Sequence, residues 1–230
     1  MKIEVDKRYL LFGLMNIVGA ILHNVNVKNV LSPKIEQRIQ EQQNKALKYD
    51  ETVIKNNKIL EGYRAMIRKS GRSLKKYPPT AEALINNIKD RGHMPRINSI
   101  VDIYNMEVIS NFLSIGAHDY DKISQTLCFT FAEGEEIFYP IGGGEKRTVR
   151  GDFLYRDEND ILAYLDARDS ELYKISEETK NVILIVQGNA NTSKEYRENS
   201  LKQIVEQIID NCGGQYEMFS VDCGNSIIIS

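Results

Sequence analysis

Three groups of polar residues in this sequence have side-chain types that could carry chemistry. His118 stands in a Gly-Ala-His-Asp run with Asp119 and Asp121 close by, and a carboxylate neighbour raises the basicity of an imidazole, as a general base requires. A surface loop histidine without a catalytic role is the alternative interpretation. Asp102 and Asn105 form a second group, because a spacing of three places both side chains on one side of a helix. Together the two groups predict one wall of a pocket.

The third group follows a predicted strand at 161–165 and consists of Asp166, Arg168, Asp169 and Glu171. A carboxylate at the end of a strand, inside a cleft, is a common element of substrate recognition. A charged turn with an ion pair to Arg168 explains the same residues equally well. The sequence alone leaves these two interpretations open.

Motifs for other kinds of chemistry are missing from the sequence. The triple glycine 142–144 lacks the Gly-Lys-Ser/Thr ending of a phosphate-binding loop and precedes no helical pattern, so a hairpin loop is expected there. The three histidines show no metal-ligand spacing, and no serine stands in a Gly-x-Ser-x-Gly turn. We therefore expect neither a metal site nor a cofactor.

One basic cluster lies between Glu61 and Glu82, where no acidic residue interrupts the cations. Its members are Arg64, Arg68, Lys69, Arg72, Lys75 and Lys76. One interpretation is the C-terminus of a helix, where cations complement the helix dipole, followed by a solvated turn. The other is a patch that contacts RNA phosphates. Because the chain has 30 basic and 32 acidic residues, with a formal charge of -2, any nucleic-acid contact is expected to be local.

Hydrophobic periodicity predicts an α+β fold with a mixed sheet around these groups. The predicted strands are 2–5, 11–22, 126–131, 136–140, 152–155, 161–165, 181–187, 215–221 and 226–229. Helices are predicted from Pro33 to Gly71 with a break near Tyr49, from Thr80 as N-cap to Gly92, and from a capping box at 192–195 to Gly213. A further helix lies within 95–121 and is predicted to bury one apolar stripe, formed by Ile97, Ile100, Val101, Tyr104, Val108, Ile109 and Phe112. The Gly-Ala-His-Asp run after it is predicted to have an irregular backbone.

Composition indicates one globular unit in a reducing compartment. The 230 residues are 42% hydrophobic and 27% charged, which is typical of a folded chain. We predict a single domain over 1–230, with a helical part at 33–72, a motif-bearing core at 75–188 and a C-terminal helix and strands at 192–230. Cys128, Cys212 and Cys223 lack a Cys-x-x-Cys spacing, the first residues lack a signal-peptide pattern, and the apolar run 10–22 is too short to span a bilayer. A cytoplasmic protein with no membrane contact is therefore expected.

Six sequence blocks, taken in order, resemble a known family. The blocks are K-K-Y-P-P-T-A-E-A-L (75–84), M-P-R-I-N-S-I-V-D-I-Y-N (94–105), S-I-G-A-H-D-Y-D-K-I (114–123), G-D-F-L-Y-R-D (151–157), A-R-D-S-E (167–171) and E-E-T-K-N-V-I-L-I-V (177–186). Over residues 60–188 they resemble the free-standing relatives of the B3/B4 tRNA-binding, or editing, domain of the bacterial phenylalanyl-tRNA synthetase β subunit. The resemblance implies a curved or barrel-like mixed sheet with packed helices, and tRNA with an aminoacylated 3′ end as the partner.

The resemblance also implies roles for individual residues. The synthetases hydrolyse phenylalanine tRNA wrongly charged with tyrosine, and their Val-Asp-x-x-Asn motif matches Asp102 and Asn105, so that Asn105 resembles the asparagine that positions the substrate. Asp169 falls on the glutamate that reads the tyrosine hydroxyl. Gly116 stands where the synthetases have a histidine, and His118 lies two positions later.

Two functions from different classes follow. In the first, the chain is a trans-acting deacylase of mischarged aminoacyl-tRNA. Asn105 and His118 are then the catalytic candidates, and Asp102, Gly116, Ala117 and Asp169 contact the substrate. In the second, suggested by the glycine at 116, the chain is a non-catalytic module that binds RNA or an amino acid. A hydrolase of free amino-acid esters is a third, weaker alternative.

Overall fold

The computed structural model describes residues 1–27 and 30–229, which form helices and strands in an α+β arrangement. The α-helices of the described residues are α1 (Pro33–Lys48), α2 (Glu51–Asn56), α3 (Lys58–Lys69), α4 (Thr80–Arg91), α5 (Ser99–Asn111) and α6 (Lys194–Cys212). Their β-strands are β1 (Lys2–Val5), β2 (Asn16–His23), β3 (Gly116–Asp119), β4 (Thr126–Phe131), β5 (Ile137–Phe138), β6 (Lys146–Arg147), β7 (Phe153–Arg156), β8 (Ile161–Tyr164), β9 (Arg168–Asp169), β10 (Val182–Val186), β11 (Gln215–Asp222) and β12 (Ser226–Ile228). None of these helices has the length and apolar character needed to cross a membrane.

The strands form two main sheets and one short hairpin. The first sheet has the order β12-β1-β4-β7-β8-β9 and is mixed, because β1 and β4 run parallel while its other neighbours are antiparallel. The second is antiparallel, with the order β11-β2-β10-β3. Strands β5 and β6 pair as the hairpin expected around the triple glycine. The predicted α+β fold with a mixed sheet is confirmed, and within the described residues both sheets are open rather than closed into a barrel.

The four-stranded sheet lies between a layer of helices and the six-stranded sheet. On β10, Val182, Leu184 and Val186 belong to the apolar core that contains side chains of α1, α4, α5 and α6, whereas Ile183 and Ile185 belong to the core that contains side chains of the six-stranded sheet. Successive side chains of a strand point to opposite faces. A strand buried on both faces therefore has a continuous apolar sequence, as β10 does.

Helix α5 is buried more completely than the single predicted stripe. Ile103 and Met106, which lie outside that stripe, are fully buried, while Ile97, which belongs to it, precedes the helix and is 60% exposed. The reason is the position of α5, which packs against α1, α4 and α6 at once. One apolar stripe would suit a helix that contacts a single layer.

Several local predictions differ from the structure, among them the strand predicted over 11–22, which begins only at Asn16. Thr80 is the first residue of α4 rather than its cap, and its Oγ1 donates a hydrogen bond to the carbonyl of Asp166 at 2.9 Å. Ser193, not Thr192, caps α6 by accepting from the N–H of Tyr196. The Gly-Ala-His-Asp run is strand β3 and not irregular backbone, because it pairs with β10, which provides hydrogen-bond partners for its backbone. The predicted division of a single domain into three parts stays a prediction.

Candidate aminoacyl pocket

A cavity of about 550 Å³ lies between the N-terminal half of α5, strand β3 and the segment that follows β9. Its walls are mainly apolar, with one carboxyl group from β9 and several charged side chains from the following segment. The lining residues are Ile97, Asn98, Val101, Tyr104, Ala117, Ile141, Asp169, Lys174, Ile175, Ser176, Glu177 and Glu178. Apolar walls with a few polar groups are the usual character of a small-molecule site.

Helix α5 is held at this cavity by polar contacts around its first turn. Asn98 caps it by accepting from the N–H of Val101 at 3.0 Å. The carboxylate of Asp102 accepts from the N–H of Ile97 at 2.8 Å and from Nε of Arg96 at 2.7 Å. Both oxygens of Asp102, a predicted substrate contact, therefore hold the turn that leads into α5, and Asp102 is outside the cavity lining.

Asn105 lies next to the cavity without being part of its lining. Val101 is one helical turn before Asn105, so the two residues share a face of α5, and Val101 and Tyr104 both line the cavity. Asn105 itself is partly exposed. Its predicted role in positioning a substrate stays a prediction.

Strand β3 divides the site into two sides. Ala117 lines the cavity and belongs to the helix-side core, whereas Gly116 and His118 point the opposite way, toward the six-stranded sheet. The N–H of Asp119 donates to the carbonyl of Tyr173 at 2.9 Å, on the edge of β3 away from β10. Because backbone groups two residues apart point to the same edge, the N–H of Ala117 also points away from β10, toward the edge where the chain after Tyr173 forms the cavity wall.

Gly116 is required by the close approach of a tyrosine hydroxyl. A Cβ at this position would lie 2.2 Å from the Tyr155 hydroxyl oxygen, and 3.4 Å from both Asp169 Oδ1 and His118 Nε2. The Tyr155 oxygen and His118 Nε2 form a hydrogen bond at 2.7 Å. Three polar side chains from three strands thus converge on one glycine, so the backbone of β3 and the carboxyl of Asp169 are held together.

His118 is a buried neutral group in this structure. Its side chain is fully buried, Nδ1 has no hydrogen-bond partner among the described residues, and burial lowers its pKa to about 3. The increase in basicity predicted from Asp119 and Asp121 is therefore wrong. Asp119 lies on the other face of β3, where it accepts from Thr179 Oγ1 at 2.7 Å, and the nearest carboxylate oxygen to His118 Nε2 is on Asp169 at 4.0 Å.

Asp166 and Asp169 are both carboxyl groups with raised pKa values. Burial raises the pKa of Asp169 to about 7, although 26% of its side chain remains exposed. Burial and the nearby charge of Asp169 raise the pKa of Asp166 well above its usual value. Arg168 is exposed, and no ion pair joins it to these acids in the part of the chain that the structure describes. The charged-turn interpretation with an Arg168 ion pair is therefore wrong, and this acidic group lies at the pocket.

The predicted basic cluster separates into internal and external cations. Arg64 is buried and donates to Glu82, at 2.8 Å, and to two backbone carbonyls, while Arg72 binds Asp152 and the hydroxyl of Tyr164. Arg68 pairs with Glu61 at 2.6 Å, and Lys69 donates to the carbonyl of Leu11. Lys75 and Lys76 are exposed and have no partner among the described residues. Arg64 and Arg72 therefore have internal contacts, and Lys75 and Lys76 are available for phosphate.

Sequence reasoning missed Tyr155 and the internal role of Arg64. Arg64 was recognisable, because it lies four residues after Leu60 and three before Ile67, on the apolar face of α3. Tyr155 has no such signal, since its importance comes from contact with Gly116, 39 positions away. Within the described residues, no group of three or more His, Cys, Asp or Glu side chains is arranged to hold a metal ion.

Three comparisons relate the chain to known proteins. A family model described as B3/4 domain matches residues 62–210. The phenylalanine–tRNA ligase β subunit of Methanococcus aeolicus is 26% identical over 190 residues, covering 66% of this chain and 34% of the relative. A crystal structure of an N-terminal fragment of the phenylalanyl-tRNA synthetase β subunit from Pyrococcus horikoshii superimposes with a TM-score of 0.51 at 17% identity, covering 97% of this chain and 54% of the fragment. The chain thus spans about a third of the curated relative, and the structural likeness supports the fold.

The contact between Gly116 and Tyr155 predicts a non-additive pair of substitutions. Gly116→Ala places a methyl group on the Tyr155 hydroxyl and should lower the free energy of unfolding by about 1–3 kcal/mol, the usual cost of overpacking. Tyr155→Phe removes the hydroxyl, so the double variant Gly116→Ala with Tyr155→Phe should recover part of that loss. Urea denaturation of the wild type, both single variants and the double variant should give a coupling free energy of about 1 kcal/mol or more. Gly92→Ala meets no neighbouring atom but is strained by a φ of +79°, so it should be destabilising without any coupling to Tyr155→Phe, and it is the control for coupling. Strict additivity at 116 and 155 would contradict the steric account.

The raised pKa of Asp169 predicts a pH-dependent stability. A carboxyl with a pKa of about 7 in the folded protein, and about 4 in the unfolded chain, binds its proton more tightly when folded. Its contribution is fully present below pH 4 and is lost as the pH rises through 7. Relative to Asp169→Asn, the wild-type free energy of unfolding should therefore fall by roughly 2–4 kcal/mol between pH 4 and 8.

Urea denaturation of both proteins across this pH range measures the difference. The lowered pKa of His118 makes a contribution of opposite sign to the pH dependence. Because His118 is present in both proteins, most of that contribution cancels when the two free energies of unfolding are subtracted. Asp90→Asn, at an exposed position on α4, is the control for replacing a carboxyl group by an amide. A difference between wild type and Asp169→Asn that does not change with pH would show that the carboxyl of Asp169 is not buried in the folded state.

Proposed function

The chain belongs to the B3/4 domain family, and on that premise we propose that it binds tRNA and hydrolyses the ester of mischarged aminoacyl-tRNA in trans. The observation that carries the proposal is the apolar cavity of about 550 Å³ in which Asp169 meets the edge of β3. Two relatives are β subunits of enzymes that join phenylalanine to tRNA. A tRNA carrying the wrong amino acid on its 3′ end is the substrate class that fits both the family and the cavity.

The cavity suits an aminoacyl group with an apolar side chain. Ile97, Val101, Tyr104 and Ile175 provide the surface for that side chain. Asp169 is the carboxyl group for the α-ammonium group or for a polar group on the side chain. Carboxylates outnumber lysines in the lining, since Asp169, Glu177 and Glu178 stand against Lys174, and this balance favours the positively charged ammonium group.

To hydrolyse the ester, the protein has mainly to position a water molecule and the ester carbonyl group. A water molecule must reach the carbonyl carbon, and the resulting oxyanion needs a hydrogen-bond donor. In this proposal the N–H of Ala117 is that donor, because it points away from β10 at the edge of the cavity. Asn105 positions the substrate from the adjacent face of α5. His118, which is neutral and buried, serves as a positioning residue for Tyr155 and Gly116 rather than as a proton acceptor.

The second candidate function is binding without hydrolysis. The observation that favours it is the absence of an ionisable imidazole at the cavity, because position 116 is glycine and the pKa of His118 is about 3. In that case the cavity would hold the amino acid of a charged tRNA without breaking its ester. The expected cytoplasmic location belongs to both proposals.

Hydrolysis of a panel of mischarged tRNAs tests the first proposal. We expect the wild-type protein to release at least one amino acid from its tRNA above the spontaneous rate, and Asn105→Ala to lower that rate by about tenfold or more, as the loss of a positioning group does. Asn86→Ala, at an exposed position on α4, is the matched control and should not change the rate. Salt-dependent tRNA binding without release of any amino acid would favour the binding module. No binding at all would remove both candidates.

The exposed lysines predict a salt-dependent affinity for tRNA. Replacing Lys75 and Lys76 together by Glu should weaken tRNA binding and reduce the slope of log affinity against log salt by about two, one for each lost phosphate contact. Lys34→Glu with Lys48→Glu changes the charge equally at exposed positions on α1. This control should have a smaller effect in filter binding at several salt concentrations. Equal effects of both pairs would mean that tRNA binds elsewhere.

A further inference from the structure

A second, much smaller cavity lies on the other side of Asp169. Its volume is about 50 Å³, which is room for one or two water molecules, since a water occupies about 30 Å³ in the liquid. The lining residues are Thr80, Ser114, Ile115, Gly116, Asp166, Ala167, Arg168 and Asp169. Asp169 thus lines both the aminoacyl cavity and this one, and no role has been assigned to the smaller cavity.

Asp166 places a buried carboxyl oxygen at this cavity. Its Oδ2 is buried and has no hydrogen-bond partner among the described residues. Such a group costs free energy unless a water molecule satisfies it. The backbone around it is fixed, because Thr80 Oγ1 and Ser114 Oγ both donate to the carbonyl of Asp166 at 2.9 Å. Contacts from α4 and from the chain before β3 therefore hold the backbone of Asp166 at the wall of the small cavity.

The turn that presents Asp166 has an unusual backbone. Leu165 and Asp166 have φ values of +56° and +52°, and the N–H of Ala167 closes the turn on the carbonyl of Tyr164 at 3.2 Å. Two consecutive residues in this region are typical of a hairpin turn that prefers Asn and Gly. Here a buried leucine and an aspartate occupy it, and Asp166 lines the cavity from this turn.

Apart from Arg168, which lines the small cavity, and Lys174, which lines the large one, the ionisable groups around the two carboxyls are neutral or acidic. The groups that interact electrostatically with Asp166 are Tyr9, Tyr63, Tyr155 and Asp169. Those near Asp169 are Tyr104, Tyr155, His118 and Asp166. Burial raises the pKa of each of these tyrosines and lowers that of His118, so all of them are uncharged near neutral pH. Two buried carboxyls close together do not both ionise readily, and the charge of Asp169 raises the pKa of Asp166, which favours the protonated form of Asp166.

We propose that the small cavity binds the water molecule that attacks the aminoacyl ester, and that Asp166 is a further catalytic residue, whose carboxylic acid hydrogen-bonds this water while Asp169 accepts its proton. The inference rests on the proposed function and adds a water site and a residue to it. One carbon separates the α-amino group from the ester carbonyl carbon. If Asp169 binds the α-amino group of a substrate in the large cavity, its carboxylate is therefore also close to a water molecule in the small cavity that attacks the ester carbonyl.

The proton and bond changes balance within this arrangement. The water oxygen forms a bond to the carbonyl carbon as one water proton passes to Asp169. The oxyanion then collapses and the bond to the ribose oxygen breaks. The proton on Asp169 passes to that ribose oxygen, leaving a free amino acid and a tRNA with an intact 3′ hydroxyl. Asp166 keeps its proton throughout, and no other reactant is needed.

Two substitutions at position 166 distinguish a role of the Asp166 side chain in hydrogen bonding from a role in filling space. Leucine has the same branching and number of heavy atoms as aspartate but no hydrogen-bonding group. Asp166→Leu removes a buried unpaired oxygen but adds the strain of a leucine at a φ of +52°, so its Tm should stay near that of the wild type. The single-turnover rate should fall by about 100-fold, the lower range for proton-transfer and positioning groups. Asparagine keeps a donor and tolerates positive φ. Asp166→Asn should therefore lower the rate by less than about tenfold and keep the rise in rate through pH 7. Asp90→Leu is the exposed control and should leave the rate unchanged.

Binding of a non-hydrolysable substrate completes the test. The probe is the same tRNA carrying its amino acid through a 3′ amide, and we expect both Asp166 variants to bind it as wild type does. A wild-type rate for Asp166→Leu would overturn this inference and leave the proposed function intact. Equal losses of binding and rate would also overturn it, because they indicate a structural role. A wild-type protein that hydrolyses no member of the panel would overturn both proposals, whatever the variants do.

Discussion

The site depends on the contact between the hydroxyl of Tyr155 and the backbone of Gly116. This contact joins β7 of the six-stranded sheet to β3 of the four-stranded sheet, so it helps to set the distance between the two sheets at the site. The hydrogen bond to His118 keeps the hydroxyl in place. With both sheets held at this point, Asp169 at the edge of one sheet lies beside the edge strand of the other. The position of the carboxyl in the pocket is therefore a consequence of how the sheets pack.

Most elements of the fold could be predicted from the sequence, because their patterns are local. Strands β1 and β4 have the predicted bounds, and the helical segment breaks after α1, near Tyr49, as expected. The errors arise where a distant contact decides the structure. Thr80 is a good N-cap by composition but bonds to Asp166, and α5 is buried by three helices that no local pattern reveals.

The site was predictable in its parts but not in its arrangement. Asp169 and Ala117 line the cavity, as expected of substrate contacts, although their roles are still predictions. The side chains of Asp102 and His118 have the chemistry of site residues, but in the structure Asp102 is held by hydrogen-bond partners and His118 is fully buried. Whether a polar side chain is available for chemistry depends on burial and on neighbours far away in sequence. Side-chain type and spacing do not contain that information.

The alternation along β3 has a further consequence for how this protein can change through evolution. A slip of one residue in the pairing of β3 with β10 would turn Ala117 toward Tyr155 and place His118 in the large cavity, exchanging an apolar wall for an imidazole. The connection 112–115 between α5 and β3 sets this register, and its buried residues leave no room for an extra one. Insertions and deletions should therefore be rare here among homologues. The exposed glycines 142–144 are outside the cavity lining, so a change of length there should disturb the pocket less.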